Sequence, residues 1–362
     1  MRSKIEQLYI SLVKRAQSSL LFWVFLSPLM LCSLVFGVVI FVRRKVLTLI
    51  GSRRKVAAPI ITVGNVTVGG TGKTPMILSL LAHLTSDNLK IAYVSRGYRR
   101  KKGGLRVGYA LDPKEIGDEA SLVQRRNENV IVSISDDKWE AVQAVEKERD
   151  LIILDDSLQR YDIPVDLTIA TIDCLCPDGY GWLLPRGTLR EPFSRLQEMD
   201  FLVLTNAINQ EVLDRAVKMI KKFNIPFIVT QPHITRFFTS DGSSYNLRKG
   251  TPVALFSSIA HPKRFSASVQ KAGYSVIATM EALDHVDIKS EKLIQWARRV
   301  QALCPEVVFV GTEKDWARKC MWPILPSTLL FSQMELEIVG GNENFYALID
   351  RVRTMTNRQT RL

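Results

Sequence analysis

The chain has 362 residues, 46% of them hydrophobic and 23% charged, which allows two ordinary domains and excludes a disordered chain. Its 20 glycines and 15 prolines exclude a collagenous or low-complexity polymer, and five cysteines in this length make no disulfide framework. The net charge of +13, from 49 Lys and Arg against 36 Asp and Glu, points to nucleic acid or to an anionic membrane surface.

The first 55 residues separate those two partners. They hold ten basic side chains, Arg2, Lys4, Lys14, Arg15, Arg43, Arg44, Lys45, Arg53, Arg54 and Lys55, against one acid, Glu6. This stretch carries +9 of the +13, while residues 56–362 carry 39 basic and 35 acidic side chains. The basic clusters flank an uncharged run, Leu20–Val42 (LLFWVFLSPLMLCSLVFGVVIFV). As a helix it would reach ~35 Å, against ~30 Å for a bilayer core. A cleaved signal peptide fits poorly, because the run exceeds the usual ~7–15 apolar residues and no small-x-small site follows. A buried core helix would leave the flanking cations badly placed. The expectation is a membrane-embedded segment, spanning or interfacial, with Pro28 favouring a re-entrant or interfacial course. Six basic residues after it, against four before it, place the body in the cytoplasm, with anionic headgroups as partner. No nucleic-acid partner is expected, since the body beyond residue 55 is only +4 and its aromatics are not interleaved with basic runs.

From Pro59 onward short apolar runs alternate with helical stretches. Strands are predicted at Ile60–Val63, Ile91–Ser95, Val130–Ser133, Leu151–Asp155, Leu167–Ile172, Phe201–Thr205 and Pro226–Thr230, and helices at Thr74–Thr85, Trp139–Glu148 and Glu211–Phe223. Nearly continuous apolar strands between helices indicate an α/β fold, a mainly parallel sheet covered on both faces. Residues 231–250 (QPHITRFFTSDGSSYNLRKG) lose this rhythm and read as a connector, a ribbon or hinge. A second, smaller α/β unit then runs over 251–362, with strands at Pro252–Ser257, Ser275–Thr279, Val307–Val310 and Thr328–Phe331 and helices at Pro262–Ala272 and Lys289–Leu303. The expected layout is thus a membrane-associating segment (1–55), a P-loop unit (56–230), the connector and the smaller unit.

The strongest local signal is ITVGNVTVGGTGKTP, Ile61–Pro75. A strand runs into a Gly-rich turn and a helix follows, the arrangement in which Gly69, Gly70, Thr71 and Gly72 turn backbone N–H groups toward a phosphate at a helix N-terminus. Lys73 would contact the β- and γ-phosphates and the Thr74 hydroxyl would ligate Mg²⁺. The match to G-x-x-x-x-G-K-[ST] is imperfect, since Thr67 stands where the first Gly belongs; a Gly-rich turn with no ligand is the bland alternative. An acidic residue closing a neighbouring strand is the second requirement. Leu151-Ile152-Ile153-Leu154-Asp155-Asp156 supplies it, one Asp holding Mg²⁺ and the other supporting it. Cys174 and Cys176 form a C-x-C pair with no further ligand nearby, so no thiolate metal site is assigned.

These segments together, VGNVTVGGTGKTP, VSRGYRRKKGG, IGDE, LDDSLQRYDIPVDLTIATID, GWLLPRGTLREP, SSIAHPKRF, LDHVDIKSEKL and VGTEKDWARK, resemble in order the tetraacyldisaccharide 4′-kinases of lipid A biosynthesis. The resemblance implies a P-loop kinase using ATP and Mg²⁺. The γ-phosphate would pass to the 4′-hydroxyl of a tetraacylated glucosamine disaccharide 1-phosphate, giving lipid IVA, at the cytoplasmic face of the bacterial inner membrane. No obligate protein partner is inferred. By resemblance Asp118 is the base, partnered by His285, though the residues alone favour a surface loop histidine at that position. Arg190 is the candidate for transition-state charge and Glu191 for a further metal ligand or a member of the surrounding network. The family's Asp-Asp-Gly-Phe/Leu-Gln-His stands here as Asp155-Asp156-Ser157-Leu158-Gln159-Arg160, which puts a permanent cation where the family has an imidazole. A membrane-tethered regulatory ATPase or GTPase is the alternative. Val68 stands where partitioning ATPases carry a second Lys, and no Asn-Lys-x-Asp segment is present.

Overall fold

Apolar runs too short for helices and uninterrupted by polar residues fold as strands buried on both faces, and they do so here from residue 60 onward. The structure is a computed structural model that describes residues 28–51, 54–98, 100, 103–259, 261–282, 288–318 and 321–359. Its strands, in chain order, are β1 Ile60–Gly64, β2 Ile91–Ser95, β3 Arg106–Gly108, β4 Ile131–Ile134, β5 Leu151–Asp155, β6 Leu167–Asp173 and β7 Phe201–Thr205. There follow β8 Phe227–Phe238, β9 Ser244–Tyr245, β10 Pro252–Ser257, β11 Ser275–Glu281, β12 Val308–Thr312 and β13 Leu329–Gly340. The α-helices are α1 Pro28–Gly51, α2 Lys73–Leu84, α3 Pro113–Ile116, α4 Asp118–Arg126 and α5 Lys138–Gln143. After them come α6 Gln210–Ile220, α7 Pro262–Lys271, α8 Ser290–Leu303, α9 Glu313–Arg318 and α10 Asn342–Gln359. All the strands join one sheet in the order β11-β10-β12-β13-β8-β7-β6-β1-β5-β2-β4-β3, with β9 on β8. Pairing is parallel except at β3–β4, β8–β9 and the long β8–β13 contact.

That contact joins the two α/β units. Phe227 to Phe238 continues as one strand into the first part of the 231–250 segment expected to be a connector, and it pairs antiparallel with β13 from Phe331↔Phe238 to Gly340↔Val229. Its middle alternates, with Ile234 buried while His233 and Thr235 are exposed, so one face of this ribbon is open to solvent. Polar residues therefore break the apolar run without ending the strand. The parallel strands are packed differently. Ile61, Val63, Tyr93, Ile153 and Ile169 are all fully buried in one core on one side of the sheet, and Ile60, Ala92 and Ile152 lie in another on the opposite side.

The apolar run Leu20–Val42 enters the described residues only at Pro28, where α1 begins, and Arg43, Arg44 and Lys45 fall inside that helix rather than after it. Among the described residues no helix is long and apolar enough to cross a membrane. Helix α1 instead exposes Leu31, Leu34, Val35, Val38, Phe41 and Val42, each more than half exposed. It is docked at Ser33, whose Oγ donates to Leu183 O at 2.8 Å and accepts from Arg186 N at 3.0 Å. Part of the basic flank is engaged within the protein, with Arg44 paired to Glu198 and Arg54 to Asp162.

Candidate active site

The glycine-rich segment lies between β1 and α2. Gly72, with φ 88°, caps that helix in the left-handed region, where its missing side chain also avoids Thr205 Cγ2, 3.1 Å from a built Cβ. Thr71 is buried, its hydroxyl 2.7 Å from that of Thr171, so this side chain fixes the loop, whereas Gly69 and Gly70 lie at the surface.

A second segment grips the loop from outside. Val68 N donates to Thr188 O at 2.7 Å, Thr67 bridges Leu189, and Arg190 N donates to Val66 O at 2.7 Å. This pairing delivers Arg190 to the site. Its guanidinium meets Asp156 in a fork, Nη2–Oδ1 at 2.7 Å and Nη1–Oδ2 at 3.0 Å, and Nη2 also donates to Asn65 O at 2.8 Å and to Asn65 Oδ1. Lys73 Nζ lies 3.4 Å from Asn65 Oδ1 and 3.9 Å from Asp156 Oδ1. The helix lysine, the second aspartate and Arg190 therefore converge on one place, with Asn65 between them.

Parallel pairing of β1 with β5 sets Asp155 opposite Val63, at the end of the strand that feeds the loop. Asp155 is 3% exposed; Oδ2 accepts from Tyr93 OH at 2.6 Å, and Oδ1 has no hydrogen-bond partner among the described residues. Burial, reinforced by the charge of Glu119, pushes its carboxyl up to about 6 against the pull of Lys73. Burial opposes ionisation of Asp156 too, but Lys73 and Arg190 outweigh it and hold that carboxyl well below the usual range. Asp156 itself has φ 48°, and its carbonyl and that of Asp155 both accept from buried Lys138 Nζ, which also reaches Ser157 Oγ at 2.8 Å. Burial lowers this ammonium to about 8.

An unpaired oxygen on a buried carboxylate beside a glycine-rich loop fits a hard cation. Glu191, 2% exposed, also has an unpaired oxygen, Oε2, but its carboxyl lies among Tyr161, Arg195, Arg44 and Arg43, and burial raises it against their opposing pull. Thr74, in the first turn of α2, is half-buried. No three His, Cys, Asp or Glu side chains gather into a ready-made metal cage among the described residues.

Asp118 is the first residue of α4. Gly117 before it has φ 84°, and a Cβ there would stand 2.6 Å from Tyr98 O, so only glycine makes this turn. Asp118 Oδ2 lies 2.8 Å from Arg318 Nε. His285, the expected partner of Asp118, lies outside the described residues. Arg160 turns away from a free phosphate-binding role. Its Nε donates to Asp162 Oδ1 at 2.7 Å, and its Nη2 donates to Asp162 Oδ2 and Asp137 Oδ1, both at 2.8 Å. Its charge is matched by carboxylates at once. Asn65, Tyr93, Lys138 and Arg318 join the site without being expected there from the sequence. Asn65 and Arg318 do lie in the family-like segments, but Tyr93 and Lys138 have no local signature at all.

The family model described as tetraacyldisaccharide-1-P 4′-kinase matches residues 24–353. A tetraacyldisaccharide 4′-kinase of Pelodictyon phaeoclathratiforme is 28% identical over 321 residues, covering 83% of this chain and 90% of that protein. One from Hamiltonella defensa is 32% identical over 266 residues, covering 72% and 75%. The fold is similar to the crystal structure of LpxK from Aquifex aeolicus in complex with ATP, at 24% identity and a TM-score of 0.68, over 90% of this chain and 98% of that one. With the glycine-rich loop, its lysine and the paired aspartates in place, the match over most of its length makes the chain a member of the tetraacyldisaccharide-1-P 4′-kinase family.

Proposed function

We propose that this chain transfers the γ-phosphate of ATP to the 4′-hydroxyl of a tetraacylated glucosamine disaccharide 1-phosphate, forming lipid IVA and ADP. The observation that carries this is the convergence of Lys73 and Arg190 on both Asn65 and Asp156 at a glycine-rich loop, with the orphaned oxygen of the adjacent Asp155. Backbone N–H groups from Gly69 to Thr74 receive the phosphates, and Lys73 and Arg190 neutralise charge that grows on the transferred group. When bound, Mg²⁺ adds further charge neutralisation on the phosphate oxygens, held by Asp155 and Asp156 with Thr74 and Glu191 as the other candidate ligands. Asp118 accepts the proton of the attacking hydroxyl. The O–H bond breaks as the new O–P bond forms, and the electron pair of the broken P–O bond leaves on ADP. His285 is the candidate relay for that proton. Purified protein in detergent micelles with Mg-ATP is expected to phosphorylate the disaccharide monophosphate, with ADP release rising when acceptor is added. ATP turnover indifferent to acceptor would identify a regulatory ATPase instead.

Attachment to the cytoplasmic face of the inner membrane is supported by the exposed apolar side of α1, followed by Arg43, Arg44 and Lys45. The double variant Leu34→Asp/Val38→Asp is expected to move most of the protein from the membrane pellet to the soluble fraction in a flotation assay. An unchanged distribution would assign attachment to another surface. The β8–β13 ribbon is the proposed element through which the P-loop unit and the smaller unit close on substrate.

A further inference from the structure

The segment EKDWAR forms the short helix α9 at the end of β12, and it lies against α4, the helix that begins with Asp118. The two run antiparallel with complementary ends. Glu313 forks onto Arg126 at the end of α4, while Lys314 approaches Glu119 at 3.8 Å and Arg318 approaches Asp118 at 2.8 Å. Arg318 is the best fixed of these cations, its side chain only 5% exposed. Nη1 donates to Ser258 O at 3.0 Å, to Ser258 Oγ and to Asp315 Oδ1 at 3.1 Å. Asp315 is independently satisfied by Ser258 N at 3.2 Å, by Ser258 Oγ and by Thr312 Oγ1 at 2.6 Å. These anchors sit at and just after the carboxyl ends of β10 and β12, two strands buried within the sheet. The Nε edge is what remains, and it faces the Asp118 carboxylate as a charge contact.

We propose that Arg318 is a positioning residue for phosphoryl transfer: held by Asp315 and Ser258, it fixes the Asp118 carboxylate in the orientation that takes the acceptor's proton. The proposal rests on the reading of Asp118 as base. Glycine at 117 fixes the backbone of Asp118 but not its χ angles, and its side chain is 20% exposed. A cation pinned on the other unit constrains that side chain directly, and ties the competence of the base to the seating of one unit on the other. A misplacement of ~1 Å at such a group costs about 100-fold in rate.

The test is a double-mutant cycle on the full-length enzyme in micelles, with Arg318→Ala, Asp118→Asn and both together. Arg318→Ala is expected to lower kcat about 30- to 100-fold with the KM for Mg-ATP within about twofold. In the Asp118→Asn background the same change should alter kcat by less than about twofold. Arg318→Lys, which keeps the charge but cannot serve both Asp315 and Asp118, should recover part of the rate. An equal loss in both backgrounds, or an unchanged kcat for Arg318→Ala, overturns the positioning role. Near-native kcat for Asp118→Asn alone overturns the base assignment, and is read separately from the Arg318 arm. If Arg318→Ala does not fold, Ser258→Ala removes one anchor. It should lower kcat severalfold with Asp118 present and leave it unchanged in the Asp118→Asn background; a loss in both backgrounds counts against the proposal.

Discussion

Asp118→Asn is expected to lower kcat by two to four orders of magnitude, roughly the value of general base catalysis, with ATP affinity within about twofold. The substitution is nearly isosteric, so the turn at Gly117 and the helix behind it are retained. What disappears is the capacity to accept a proton. Lys73 and Arg190, the proposed phosphate-binding groups, are held by Asp156 and Asn65, which the substitution leaves in place. Single-turnover measurement at saturating Mg-ATP isolates the transfer step from product release. A kcat within a few-fold of the native value would show that Asp118 does not take the proton.

The second large effect concerns stability. Glu313 and Arg126 form a forked pair whose side chains are 8% and 14% exposed, and Glu313→Ala leaves the guanidinium without its main carboxylate. Breaking a buried pair from one side costs ~3–5 kcal/mol. Arg126 keeps a hydrogen bond to Met334 O at 2.8 Å and has Glu335 at 3.8 Å, which places the expected cost near the lower end, about 3 kcal/mol. At ~2.1 cal/mol/K of unfolding entropy per residue, a chain of 362 residues shifts by ~1.3 °C per kcal/mol, which lowers the melting midpoint by roughly 4 °C. Glu313→Gln, which keeps the shape and one acceptor, should lose clearly less. Equal midpoints for Glu313→Ala and the native chain would show that the pair contributes nothing net.

The central parallel strands could be read from sequence almost to the residue, because strands buried on both faces are continuous apolar runs. Ile91–Ser95, Leu151–Asp155, Phe201–Thr205 and Pro252–Ser257 match the observed bounds. The strand β8 could not be read in full. Gln231, His233, Thr235 and Arg236 interrupt its apolar run because one face of the ribbon is open, and Pro232 adds a turn-like signal. Helix α10 was not assigned; its polar and charged residues hide a narrow buried stripe of Phe345, Leu348, Ile349 and Val352. In the site, the loop and the aspartate pair carry local spacing. Lys138, in contrast, meets Asp155 only because β4 and β5 lie in one sheet on either side of β2, and Arg318 meets Asp118 only through the packing of two units.

The single long antiparallel contact in the sheet has a geometric consequence. Because β8 and β13 run in opposite directions, every parallel strand beyond β13 points back at those before β8. The carboxyl-terminal rim that carries the glycine-rich loop and Asp155 is thereby turned toward the rim that carries Ser258, Thr312 and Asp315. Parallel α/β sheets concentrate their ligand-binding loops along this one rim. Reversing direction once makes two such rims opposite jaws, so a nucleotide seated on one is opposed by side chains rooted in the other. A change of twist in the ribbon alters the gap between the jaws while leaving the architecture of each intact.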